Sequence, residues 1–259
     1  MSAARGTTAD DPWIRRFHPP AAPGTAPVLV VLPHAGGSAS FYFPLSRDLA
    51  AHAEVLTVQY PGRQDRLGEP SPDTVAGFVD EVQRALEPWR GRSLVLFGHS
   101  MGAVLAYELA RRLEASGGGA GPRGLVLSGR RSPLVARHDD LHTRDDDALL
   151  AHVGALAGTD AGLLADPELR AMVLPALRGD YRAVGTYRHE PGPLLRTPVS
   201  VLCGESDPRT SLSEAMAWRE LTGAAFTFRA FPGGHFYLAE HHEAVARALA
   251  DDVAAFTTA

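Results

Sequence analysis

Apolar and polar positions along this chain fall into blocks of two kinds. Short β-rich apolar runs recur at residues 28–32, 55–58, 94–97, 125–128, 199–203 and 225–231, each of a length suited to a buried strand. Between most of them apolar residues take helical spacing, at 48–53, 74–89, 103–115, 212–221 and 242–256. Strands alternating with helices predict a mostly parallel sheet with helices on both faces. Residues 133–197 break the alternation, with no convincing strand and two helical stretches. In the first, 145–157, Leu149, Leu150, Val153 and Leu156 share a face, and the acidic start suits a helix N-terminus. The second opens on Asp166-Pro167-Glu168, a cap followed by proline at the first helical position. It continues through Leu169, Met172, Val173, Leu177, Tyr181 and Val184, with Pro175 expected to kink it and Gly179 to soften it. The pattern predicts one α/β domain over residues 1–259, with a helical insertion at 133–197 lying as a lid over the carboxyl edge of the sheet.

Composition narrows the possibilities. With 259 residues, 45% of them hydrophobic, the chain can bury a full core. A net charge of −5 argues against a nucleic-acid partner, which calls for a basic face. Lysine and asparagine are both absent while Ala, Gly, Arg and Pro abound, a usage that reflects GC-rich coding. The single cysteine, Cys203, excludes an intramolecular disulfide and a cysteine-based zinc site, and fits a reducing compartment. The opening MSAARGTTADDPW has no apolar signal core, and no apolar run reaches the roughly 18 residues of a spanning helix. A soluble, cytoplasmic protein without a membrane partner is expected.

The candidate chemistry begins where the 94–97 run ends in Gly98-His99-Ser100-Met101-Gly102 and passes into a helical pattern. Ser100 therefore sits on a strand-to-helix turn, and the glycines two positions to either side allow a strained backbone that pushes the hydroxyl outward. Such a nucleophile needs a base on its hydroxyl and a carboxylate to orient the base. In sheets of this kind the chain order is serine, acid, histidine. Of eleven histidines, His235, His241 and His242 follow a late strand. His235, in FPGGHF at that strand's carboxyl end, is the candidate base; the later pair opens the last helix, where exposure is the default. For the acid, GESDP after the 199–203 run offers Asp207 and the rival Glu205. The shorter carboxylate, placed a few residues beyond the glycine turn, is preferred, with helix capping as its alternative role. An oxyanion hole requires two backbone N–H groups. Met101, following the nucleophile, and Ala35, in the PHAGGS loop after the first run, are the candidates. His34 beside Ala35 reads as structural.

Other patterns carry no chemistry. GAGPRG at 119–124 spells a dinucleotide fingerprint, yet it follows a helix and precedes a strand, the reverse of the required order. Asp145-Asp146-Asp147 and Glu240-His241-His242-Glu243 lack metal-ligand spacing and read as solvated helix faces. Neither a metal nor a cofactor is expected.

Taken in order, LPHAGGSASFY, QYPGRQDR, FGHSMGA, LSGRRSP, GESDP and FPGGHFYL resemble the stand-alone type II thioesterases of polyketide and non-ribosomal peptide assembly lines, over nearly the whole chain. The resemblance implies an α/β-hydrolase fold and catalysis by Ser100, Asp207 and His235 through an acyl-enzyme. It implies hydrolysis of acyl groups from the phosphopantetheine arm of acyl carrier or peptidyl carrier proteins, with the lid bordering the acyl chamber. The leaving thiol, with an ordinary pKa near 8.5, departs without cofactor help. Carrier proteins are acidic around their attachment serine. Arg63 and Arg66 in PGRQDR, and Arg130 and Arg131 in LSGRRSP, are thus each either docking arginines or internal ones that pair with Asp65 or the lid acids. A monomer is expected. Two competing readings are a carboxylesterase or lipase-like hydrolase of oxygen esters, and a catalytically silent binding scaffold, which an intact triad disfavours.

Overall fold

A computed structural model describes residues 11–116, 121–136, 140–157 and 166–258. Each of the six apolar runs forms a strand: β2 (Val28–Leu32), β3 (Glu54–Val58), β4 (Leu94–His99), β5 (Gly124–Ser128), β6 (Val199–Gly204) and β7 (Phe226–Phe231). Before them comes β1 (Ile14–Arg15), two residues that no periodicity could reveal. Among the described residues these make one seven-stranded sheet in the order β1-β3-β2-β4-β5-β6-β7. Every neighbouring pair is parallel except β1 with β3. The order turns back at β2, which has β3 on one side and β4 on the other. The crevice beyond the carboxyl ends of β2 and β4 is thus a topological switch point, where open α/β sheets hold their ligands.

The helices are α1 (Phe43–Leu49), α2 (Val75–Ala85), α3 (Met101–Ala115), α4 (Asp146–Ala157), α5 (Pro167–Thr186), α6 (Leu212–Met216), α7 (Tyr237–Glu240) and α8 (His242–Thr258). The two-residue period of β2 divides the core between the faces. Val28, Val30 and Leu32 join Phe78, Val82 and Leu105 under α2 and α3. On the opposite face Leu29 and Val31 join Leu45 and Leu49 of α1 and Val245, Leu249 and Val253 of α8.

Several elements differ from expectation. The helix expected at 48–53 lies earlier, at α1, where Pro44 occupies the first turn and Leu45 and Leu49 are buried one turn apart; the aromatic run before it obscured the spacing. The 212–221 pattern divides into α6 and a 3-10 turn at Ala217–Leu221. Between β5 and β6 lie α4 and α5, and α5 runs as one helix across Pro175. Asp166 caps it, accepting from the Glu168 N–H at 2.8 Å. The two helices meet through Leu149, Leu150 and Leu177, whereas Leu169, Met172 and Val173 are exposed, so α5 buries its apolar stripe only in its second half. The acidic triplet serves this packing: Asp145 accepts from the Ala148 N–H, Asp146 pairs with Arg178 at 2.5 Å, and Asp147 pairs with Arg170. The 119–124 run begins outside the described residues and leads into β5.

Candidate active site

Ser100 stands alone between β4 and α3 with φ 55° and ψ −110°, a backbone state that costs a non-glycine residue about 1–3 kcal/mol. The surroundings hold it there. Its N–H donates to the Ser128 carbonyl at 2.8 Å, and the flanking glycines bring three backbone segments into contact. A methyl group on Gly98 would run into the Gly102 carbonyl, and one on Gly102 into the Leu32 carbonyl at the end of β2. The turn is therefore tight because β4, α3 and β2 all close upon it.

The candidate base and acid come from the loops after β7 and β6, toward one edge of the sheet. His235, in the turn after β7, has Nε2 3.0 Å from Ser100 Oγ. Its Nδ1 lies 2.8 Å from Asp207 Oδ2, in the loop after β6. A carboxylate only accepts, so Nδ1–H donates to Asp207 and Nε2 is left to accept the Ser100 proton. The second Asp207 oxygen accepts from the Arg209 N–H at 2.8 Å. Both His235 and Asp207 are buried, while Glu205 is exposed. Asp207 does not cap α6, because Ser211 does so in a reciprocal capping box with Glu214.

The two candidate oxyanion donors face the same small pocket as Ser100 and His235. In the loop after β2, Gly36 N–H donates to Asp180 Oδ2 at 2.7 Å and Gly37 N–H to the His34 carbonyl at 2.9 Å. Among the described residues, the Ala35 and Met101 N–H groups meet no acceptor. Val153, Leu156, Tyr181 and Val184 of α4 and α5 form one wall, and Arg130 and Arg209 lie on another.

Two further histidines complete the setting, and the motif itself hid one of them. His99 fills the variable position of the turn and is wholly buried, with Nδ1 2.9 Å from Ser128 Oγ, which lies 2.6 Å from the Tyr237 hydroxyl. Its ring centroid is 5.0 Å from that of His235 and 5.9 Å from that of His34. Burial first, then His235 and Arg63, push the His34 imidazole down to about 3. Burial, His235 and His34 likewise hold His99 well below its ordinary value. The unfolded chain then binds more protons than the native one below the ordinary value of 6.5, so stability falls with pH from there toward the lowered native values. The Tm is expected to drop as pH is taken from roughly 7 to 5, each histidine contributing up to about 1.4 kcal/mol per pH unit. Calorimetry checks this, with His34→Gln expected to flatten the dependence; a Tm constant across that range would overturn the account.

The docking role offered for Arg63 and Arg66 is corrected. Both are buried. Arg63 pairs with Asp180 of α5, and Arg66 donates to the Gln59 carbonyl at 2.8 Å and pairs with Glu69 at 2.5 Å. Buried guanidinium groups persist only when so paired, and the loops they hold leave them unavailable to a partner. Asp65 pairs instead with Arg15, at 2.6 Å. Arg131 is buried too, and Arg130 is half-buried.

The chain is similar to known proteins over most of its length. A family model described as a thioesterase domain matches residues 27–253. The chain is similar to Thioesterase PikA5 of Streptomyces venezuelae, with 48% identity over 241 residues, 92% of this chain and 84% of that protein. It is similar in structure to the type II thioesterase BorB from the borrelidin biosynthetic cluster, at 44% identity and a TM-score of 0.86, covering 95% of this chain and 100% of that one. The RedJ thioesterase of the prodiginine pathway in Streptomyces coelicolor gives 34% identity and a TM-score of 0.83, covering 96% and 91%.

Proposed function

The chain belongs to the thioesterase domain family, and from that premise we propose that Ser100, His235 and Asp207 hydrolyse acyl thioesters presented on the phosphopantetheine arm of acyl or peptidyl carrier proteins. The observation that carries the reading is the continuous contact from Ser100 Oγ through His235 to Asp207 beneath α4 and α5. As Ser100 Oγ attacks the thioester carbonyl carbon, His235 Nε2 takes the hydroxyl proton. The oxygen that becomes negative is received by the Ala35 and Met101 N–H groups, each worth about 3 kcal/mol in the transition state. Collapse breaks the C–S bond, and the departing thiolate takes the proton from His235. Water then repeats the attack on the acyl-enzyme, with His235 again as base, releasing the acid and restoring Ser100. Asp207 holds the imidazole in the useful tautomer and stabilises its charged form.

The insertion acts as a lid in this reading. A narrow pocket walled by α4 and α5 admits a thin arm more readily than a broad substrate. No helix among the described residues is long and apolar enough to cross a membrane, and the work is done in the cytoplasm, where carrier proteins reside.

The test compares one acyl group on a carrier protein and on a short thiol. The carrier-bound form is expected to have the higher kcat/KM, through the contacts that the carrier protein itself adds. Equal rates at low ionic strength would remove the carrier protein from the assignment. Matched oxygen esters, run alongside, should be hydrolysed more slowly than the thioesters; the reverse ranking would favour a carboxylesterase.

A further inference from the structure

Asp180 belongs to α5 and is remote in sequence from the serine, histidine and acid, yet it is completely buried against the loop that carries Ala35. Its Oδ2 accepts from the Gly36 N–H at 2.7 Å and is ion-paired with Arg63 Nη2. Arg63 in turn donates through Nε to the Gly37 carbonyl at 2.9 Å and through Nη1 to the Pro61 carbonyl at 2.6 Å. The other anchors of the loop come from beyond β3. The Tyr60 hydroxyl donates to the Pro33 carbonyl at 3.2 Å, and Gln59 Oε1 accepts from the Ala39 N–H at 2.7 Å. Alone among these anchors, Asp180 is supplied by the insertion. Leu177, one turn earlier on α5, lies so close that a Cβ on Gly36 would be 3.0 Å from its Cδ1.

Peptide units are planar, so a unit whose two neighbours are both held has little freedom of its own. The His34–Ala35 unit, which bears the Ala35 N–H, has such neighbours. The preceding unit is held through the Pro33 carbonyl, and the following one through the Gly36 N–H. We propose that Asp180 is a positioning residue that aims the Ala35 N–H at the reacting oxygen, so that the oxyanion hole is complete only while α5 is docked. This rests on the assignment of Ala35 made above. Without the carboxylate, the Gly36 N–H would be buried and unsatisfied, and the Arg63 guanidinium would keep its two carbonyl acceptors but lose its buried counter-charge. Each would draw water into the loop.

The test uses Asp180→Ala and Asp180→Asn with a short-chain acyl thioester of a small thiol. Loss of an oxyanion donor costs about 10²–10³ in kcat, and a misaimed donor costs part of that. The alanine variant is expected to lose roughly 10- to 100-fold in kcat with KM within about twofold. Asparagine still offers an oxygen to Gly36 and should recover most of the loss. A trifluoromethyl ketone, which binds as the tetrahedral adduct, should weaken in step with kcat/KM. An unchanged kcat, or a loss confined to KM, would overturn the proposal. Should the alanine variant not fold, Asp180→Asn carries the test: kcat and amide exchange at Gly36 are expected to stay near wild type or to change together, and a lower kcat with unchanged exchange, or faster exchange with an unchanged kcat, would overturn the proposal. A Ser100→Ala control separates the two levels. Activity lost there but kept in Asp180→Ala sinks the positioning role alone, whereas activity kept in Ser100→Ala sinks the site assignment and this role with it.

Discussion

Replacing Ser100 by alanine is expected to lower turnover by roughly 10⁶-fold, the scale seen when a triad serine is removed, and to leave the fold intact. The Oγ that faces His235 Nε2 at 3.0 Å is lost, while the tight turn is unaffected because the glycines at 98 and 102, and not the serine hydroxyl, create its room. One hydrogen bond disappears, a change of about 1 kcal/mol in stability. A fluorophosphonate probe should label the wild type and not the variant, with similar unfolding curves for the two. Labelling that persists would place the nucleophile elsewhere.

Asp207→Asn is expected to cost about 10⁴ in kcat, as loss of a triad carboxylate does. The asparagine side chain can turn its NH₂ toward His235 Nδ1, which favours the tautomer that carries the proton on Nε2. That tautomer cannot accept from Ser100. The change also removes the negative charge that stabilises the imidazolium. Glu205→Gln should remain within about twofold, since an exposed carboxylate is screened by solvent. Single-turnover acylation rates for the two variants decide the matter, and the opposite ranking would transfer the role to Glu205.

What could be read from the residues beforehand was local. Ser100 is announced by glycines at fixed offsets on a strand-to-helix junction, and His235 by its place after the last strand. The choice between Asp207 and Glu205 rested on reach, and the geometry of the β6 loop puts the shorter side chain against His235. Arg63 shows where local reading stops. In PGRQDR it reads equally as a surface charge or an internal one, and its partner Asp180 stands 117 residues further along the chain. Asp180 itself follows the Leu177 position on a helix whose first half is exposed, so spacing alone gives no sign that it is buried. The short β1 and the displaced α1 escaped for a related reason: two residues hold no period, and an aromatic run before Pro44 blurs one.

The strand order has a consequence for biosynthesis on the ribosome. Ser100 and the loop after β2 belong to adjacent strands in the middle of the sheet, and emerge well before the last third of the chain. His235 follows β7, the last strand, and α8, which covers one face of the core, comes later still. A partly synthesised chain therefore carries Ser100 without the proposed base, and with one sheet face covered only in part, by α1. On the proposed assignment Ser100 there has the reactivity of an ordinary alcohol, and competence to form an acyl-enzyme arrives with the closing of the core.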